Sequence, residues 1–152
     1  MAAVSEPTNP YGHGAYGVYI VMKHGDTGRE DILLREGTYV GFGSGMSNNV
    51  AEYKGLIAIL EYLIKYGFNK QDISITIHGD SKLAVMQAMG LWKVKKGIYV
   101  PYAVKARQLA KQFNQKYLTI KWVPREQNEV CDRLSKDVLK KRDIVFKIQK
   151  ED

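Results

Sequence analysis

One stretch constrains this chain more than any other: Ser47-Asn48-Asn49-Val50-Ala51-Glu52-Tyr53-Lys54-Gly55-Leu56, running on through Ile64. Ser47 or Asn48 can cap a helix here by accepting backbone N–H bonds. Apolar residues recur at Val50, Tyr53, Leu56, Ile57, Leu60, Leu63 and Ile64, the spacing of one buried helix face. At about 100° per residue, Glu52 falls at the rim of that stripe rather than on its solvated side. A carboxylate there is held beside a core. Taken alone, a Glu in the first turn of a helix serves the macrodipole, so a structural role outweighs a chemical one until its company is known.

The flanking sequence supplies the rest of a layered fold. Residues 1–14 form an irregular Pro/Gly-rich lead-in that cannot sustain a helix or a central strand. Ala15 to Lys23 and Glu30 to Val40 are rich in β-branched and aromatic residues around His24-Gly25-Asp26-Thr27-Gly28 and make an antiparallel hairpin. Ile73 to His78 alternates apolar with polar as a strand, followed by Gly79-Asp80-Ser81 and a short helix over Lys82 to Met89. Pro101 to Phe113 reads as a helix with Val104, Leu109 and Phe113 inward, and Tyr117 to Val123 as a last strand. Arg125 to about Lys140 closes the chain as a helix with Val130, Cys131, Leu134 and Val138 toward the core. Strands first, then helices alternating with single strands, predict an α/β layer fold: a mixed sheet, antiparallel at its hairpin and parallel later, with helices on its faces.

Composition bounds the function. With 152 residues, 45% of them hydrophobic, the chain is one domain's worth with a proper core, ending in a basic tail over 141–152. No apolar run approaches membrane-spanning length, and the start has neither a basic region nor an apolar signal core. A soluble, cytoplasmic protein with no membrane partner is expected. The single cysteine, Cys131, excludes an intramolecular disulfide and a multi-cysteine zinc site. An excess of 23 Lys plus Arg over 16 Asp plus Glu points to a polyanionic partner such as nucleic acid, although solvated surfaces account for such excess as often.

The chemistry rests on carboxylates. Asp80 ends a strand, where α/β sheets present ligands, and Asp132 lies within the first two turns of the last helix. Hard divalent cations take oxygen ligands, and a pair of them about 4 Å apart can activate water and stabilise the leaving oxygen in phosphodiester cleavage. Glu52, Asp80 and Asp132 form such a cluster if their elements converge. Each also has an ordinary role as a cap or dipole partner.

Ser47-Asn48-Asn49 followed by Glu52, then Gly79-Asp80-Ser81, then Trp122-Val123-Pro124-Arg125-Glu126-Gln127-Asn128 followed by Asp132-Arg133-Leu134-Ser135 resemble, in order and spacing, the type 1 ribonuclease H family. The likeness runs from about Glu6 to Leu139, and Glu6-Pro7-Thr8-Asn9-Pro10 is similar to the bacterial and archaeal variant of that family's first loop. It implies a five-stranded mixed sheet flanked by helices. It also implies hydrolysis of the RNA strand of RNA/DNA hybrids with two Mg²⁺ or Mn²⁺ ions held by Glu52, Asp80, Asp132 and a fourth carboxylate. Asn9, Asn48 and Asn49 match positions on the hybrid's backbone and minor groove, where amides sense 2′-hydroxyls, and Ser47 matches a hydroxyl of the DNA-phosphate pocket. Trp92 with Lys93 and Lys95 resembles the segment that follows the DNA strand, an indole stacking while ammoniums neutralise phosphates. By its residues alone, Trp92 reads equally well as a core plug. Arg125 and Glu126 stand where many members have a histidine in a flexible loop and are expected to hold the scissile phosphate or a metal-bound water, with Arg125 counted among the substrate-binding residues.

One departure is large. The family's first strand is central and ends in Asp-Gly, its Asp bridging both metals, whereas Met1-Ala2-Ala3-Val4 fills the equivalent place without a carboxylate. The first strand is expected to be missing or displaced, leaving a gap that exposes neighbouring strand edges. Three accounts fit: a truncated or misassigned start, a strand removed by design, or a divergent, catalytically impaired module that still binds hybrid or double-stranded RNA.

Overall fold

The computed structural model describes residues 2–6, 12–43, 45 and 47–141. Three antiparallel strands come first: β1 (Ala2–Glu6), β2 (His13–Lys23) and β3 (Glu30–Phe42). The 18-residue helix α1 (Asn48–Lys65) follows, then β4 (Ile75–Gly79), α2 (Lys82–Ala88) and α3 (Val100–Ala110). The chain ends in β5 (Leu118–Trp122), a single 3₁₀ turn over Arg125–Gln127 and α4 (Glu129–Lys141). The α/β layer architecture is as the sequence predicts, and β4 and β5 pair in parallel across the α2–α3 crossover.

The beginning of the chain differs from its sequence reading. Ala2–Glu6 is a strand, paired antiparallel with β2 from Ala2 opposite Gly17 to Glu6 opposite His13. This short, mostly small-residue segment finds an open strand edge, and tertiary pairing overrides its weak local preference. Pairing stops at Gly17. Beyond Gly17, among the described residues, β2 keeps only β3 as a strand neighbour, and Tyr19, Ile20, Val21 and Met22 are only half-buried despite their size. The strands accordingly divide into a three-stranded sheet in the order β1-β2-β3 and a two-stranded sheet of β4 and β5. A groove of about 1100 Å³ opens between them, with Ile20, Met22, Ile75, Ile77 and Cys131 among its lining residues.

The core lies between the sheet and α1, α2 and α3. Leu56, Ile57, Leu60 and Leu63 of α1 meet Val18, Ile77, Val85, Ala106 and Ile120. On α3 the small residues Ala103, Ala106 and Ala110 face inward with Phe113, while Val104, expected inside, is 46% exposed. Small residues let α3 lie close on α1, and the helix phase follows them.

The other face of the hairpin receives α4. Gly17 and Gly37 are register partners on β2 and β3, and the α4 backbone lies directly on both. A β-carbon on Gly17 would stand 2.2 Å from the Cys131 carbonyl oxygen, and one on Gly37 would stand 2.4 Å from that of Leu134. No other residue permits that approach. Cys131, Ser135 and Leu139 are the buried positions of α4, and Val130, expected in the core, is exposed.

Candidate active site

Ser47 caps α1, its Oγ accepting from the Val50 amide at 3.2 Å. The helix then starts at Asn48, so Glu52 sits beyond the first turn, and its side chain is 4% exposed. Burial of this carboxylate is deeper than the rim position its spacing predicts. Asp80 follows the last residue of β4 directly, at the carboxyl end of a parallel strand. There its backbone carbonyl accepts from Trp122 Nε1 at 3.2 Å, and its Oδ2 accepts from Asn128 Nδ2 at 3.4 Å.

Glu52 and Asp80 converge and share a hydrogen bond. Burial first, then the Asp80 charge, pushes the Glu52 carboxyl well above its ordinary value. Asp80 is also raised, chiefly by burial, while the bond from Glu52 and the nearby Arg125 guanidinium pull it down. Asp132 is near enough for its charge to raise Asp80 further.

The glycine seat of α4 brings Asp132 to this place. One of its oxygens, Oδ2, accepts from Lys136 Nζ at 2.7 Å, one helical turn on. The other, Oδ1, is buried with no hydrogen-bond partner, as is Glu52 Oε2. Two orphaned carboxylate oxygens in one region, flanking Asp80, suit a hard oxygen-seeking cation. Among the described residues, however, no three carboxylate, histidine or cysteine side chains stand close enough together to enclose one.

Asn48 is exposed and Asn49 half-buried at the start of α1, whereas the Ser47 hydroxyl is buried and spends its acceptor on the cap. Arg125 is half-buried in the 3₁₀ turn after β5 and faces both Glu52 and Asp80 electrostatically. Trp92 is 44% exposed and no core plug, with Lys93 and Lys95 exposed beside it. Asn9 lies outside the described residues, as does the basic tail beyond Lys141. Two residues of the site carried no assignment in sequence. Lys136 was legible as an i, i+4 partner of Asp132, while the reach of Asn128 to Asp80 spans 48 positions and had no local signal.

A hairpin, a parallel strand pair and flanking helices, with acidic side chains drawn to the end of β4, define a ribonuclease H-like α/β domain. The family model described as reverse transcriptase-like matches residues 8–138. The bifunctional protein Rv2228c of Mycobacterium tuberculosis is 42% identical over 93 residues, 61% of this chain and 24% of its own length. Its N-terminal RNase H domain, solved as a fusion with maltose-binding protein, superposes with a TM-score of 0.71 at 34% identity, covering 92% of this chain and 91% of that one. RNase H1 of Halobacterium salinarum superposes at 0.70 with 32% identity, covering 92% and 94%. LC11-RNase H1 from compost, in complex with an RNA/DNA hybrid, does so at 0.72 with 26% identity, covering 93% and 96%. The chain belongs to the type 1 ribonuclease H family. It spans about a quarter of the length of the mycobacterial relative and 54% of the curated Halobacterium ribonuclease HI.

Proposed function

We propose that this protein is an endoribonuclease that hydrolyses the RNA strand of RNA/DNA hybrids. The observation that carries the reading is the convergence of Glu52 and Asp80 at the end of β4, with unpartnered oxygens on Glu52 and Asp132. Glu52, Asp80 and Asp132 would hold divalent cations, two Mg²⁺ or Mn²⁺ by analogy with the family. Bound there, the cations supply activation of water and charge neutralisation at the phosphodiester. Arg125, beside the carboxylates, binds the scissile phosphate. Asn48 and Asn49 read the minor groove, where 2′-hydroxyls distinguish RNA from DNA, so shape rather than base sequence is recognised. Trp92, Lys93 and Lys95 take the DNA strand by stacking and charge.

Hydrolysis of an end-labelled RNA/DNA hybrid in Mg²⁺ and in Mn²⁺ tests this, comparing the protein with Asp80→Asn. Cleavage with a 3′-hydroxyl and a 5′-phosphate, lowered about a hundredfold or more by the substitution, is the expected result. Hybrid bound but cut by neither protein would replace the enzyme with a binding module.

A further inference from the structure

Gln87 is 0% exposed on α2, between the helix that carries Glu52 and the loop that carries Trp92, Lys93 and Lys95. A buried amide is costly unless its donors and acceptor are used, and here both ends are. Oε1 accepts from the Tyr53 hydroxyl at 2.5 Å. Nε2 donates to the Lys93 carbonyl at 3.1 Å and to the Tyr99 hydroxyl at 3.3 Å. Tyr53 follows Glu52 on α1, and its ring stacks on that of Tyr99, with centroids 6.1 Å apart and planes at 6°. At the base of the loop, the Leu91 and Trp92 amides bond back to the Met86 carbonyl. Farther out, Gln87 takes the Lys93 carbonyl and Val94 packs on the core.

A Met or Leu would fill this space without a desolvation cost, so the amide contributes geometry rather than net stability. We propose that Gln87 is a positioning residue: with Tyr53 and Tyr99 it ties the Trp92–Lys95 loop to α1 and so sets that loop's place relative to the cutting carboxylates. The inference rests on the reading of this loop as the contact to the DNA strand. With Lys93's backbone fixed, the exposed side chains of Trp92, Lys93 and Lys95 meet phosphates already spaced for them, and less ordering cost falls on binding. Gln87 touches neither substrate nor metal.

The double variant Gln87→Met, Tyr53→Phe removes the bonds without leaving the buried Tyr53 hydroxyl unpaired, and Gln87→Met alone serves as its companion. Three readings decide the matter: amide hydrogen exchange along residues 93–97 of the free protein, hybrid affinity by fluorescence anisotropy in EDTA, and steady-state cleavage. Exchange in the loop is expected to quicken about tenfold with α1 unchanged, affinity to weaken about tenfold, and KM to rise while kcat at saturating hybrid stays. Unchanged loop exchange overturns the proposal, as does quickened exchange with unaltered hybrid affinity. A uniform fall in protection across α1 and the loop would mark Gln87 as a general core residue and overturn it equally. Failure of the unmodified protein to bind hybrid would instead overturn the proposed function, and loop exchange alone would then decide whether the tether exists.

Discussion

Glu52 is an acid kept from water beside a second acid, and its proton has consequences that can be measured without substrate. Burial and the Asp80 charge raise its pKa in the native state above the ordinary 4.5, so the folded protein keeps a proton that the unfolded chain releases. The contribution to stability is whole below that ordinary value and is lost as pH rises toward the native one. Glu52→Gln keeps a donor for Asp80 without the titration. In EDTA, its urea midpoint relative to the unsubstituted protein is expected to climb as pH rises above the ordinary carboxylate value, and a flat difference would contradict the raised Glu52 carboxyl. Mg²⁺ should narrow the gap, because a cation replaces the proton. Lys136 occupies Asp132 Oδ2 in the meantime, an ammonium standing where a carboxylate pair would otherwise repel.

At the scale of elements, two glycines decide how close the helix that carries Asp132 lies to the sheet. Gly17 and Gly37 sit opposite each other on β2 and β3 and leave room for the α4 backbone, and that contact fixes the helix from which Asp132 acts electrostatically on Asp80. Gly17→Ala must push α4 away from the sheet. Overpacking of this kind costs about 2 kcal/mol, read as a lowered urea midpoint, and cleavage should fall more than the stability loss explains because Asp132 moves with the helix. An activity that survives with the stability loss alone would show that the helix seat is not what aims Asp132. The α1 helix was legible almost to its ends from cap and apolar spacing. Its partner α3 was not, because three alanines carry its buried face and hydropathy favoured Val104.

For the molecule as a whole, charge is the property that reaches farthest. A formal net charge of +7 with exposed Lys93, Lys95 and Lys96 on one loop draws a polyanion, and each phosphate neutralised releases counterions. Hybrid affinity should fall linearly with the logarithm of salt concentration, and Lys93→Ala or Lys95→Ala should each reduce the slope by about one. An unchanged slope would remove that loop from the interface. None of the helices among the described residues is long and apolar enough to cross a membrane. The sequence by itself determined the order of strands and helices from β2 onward, narrowed the α1 cap to Ser47 or Asn48, and singled out three acidic positions, because those follow from local periodicity and from spaced motifs. Only the tertiary structure decided that Ala2–Glu6 pairs as a strand, that Glu52 is buried where the Asp80 charge acts on it, and that Gln87 bonds both to α1 and to a loop. Each of these depends on groups far apart in the chain meeting at hydrogen-bond distance, and no local pattern encodes that distance.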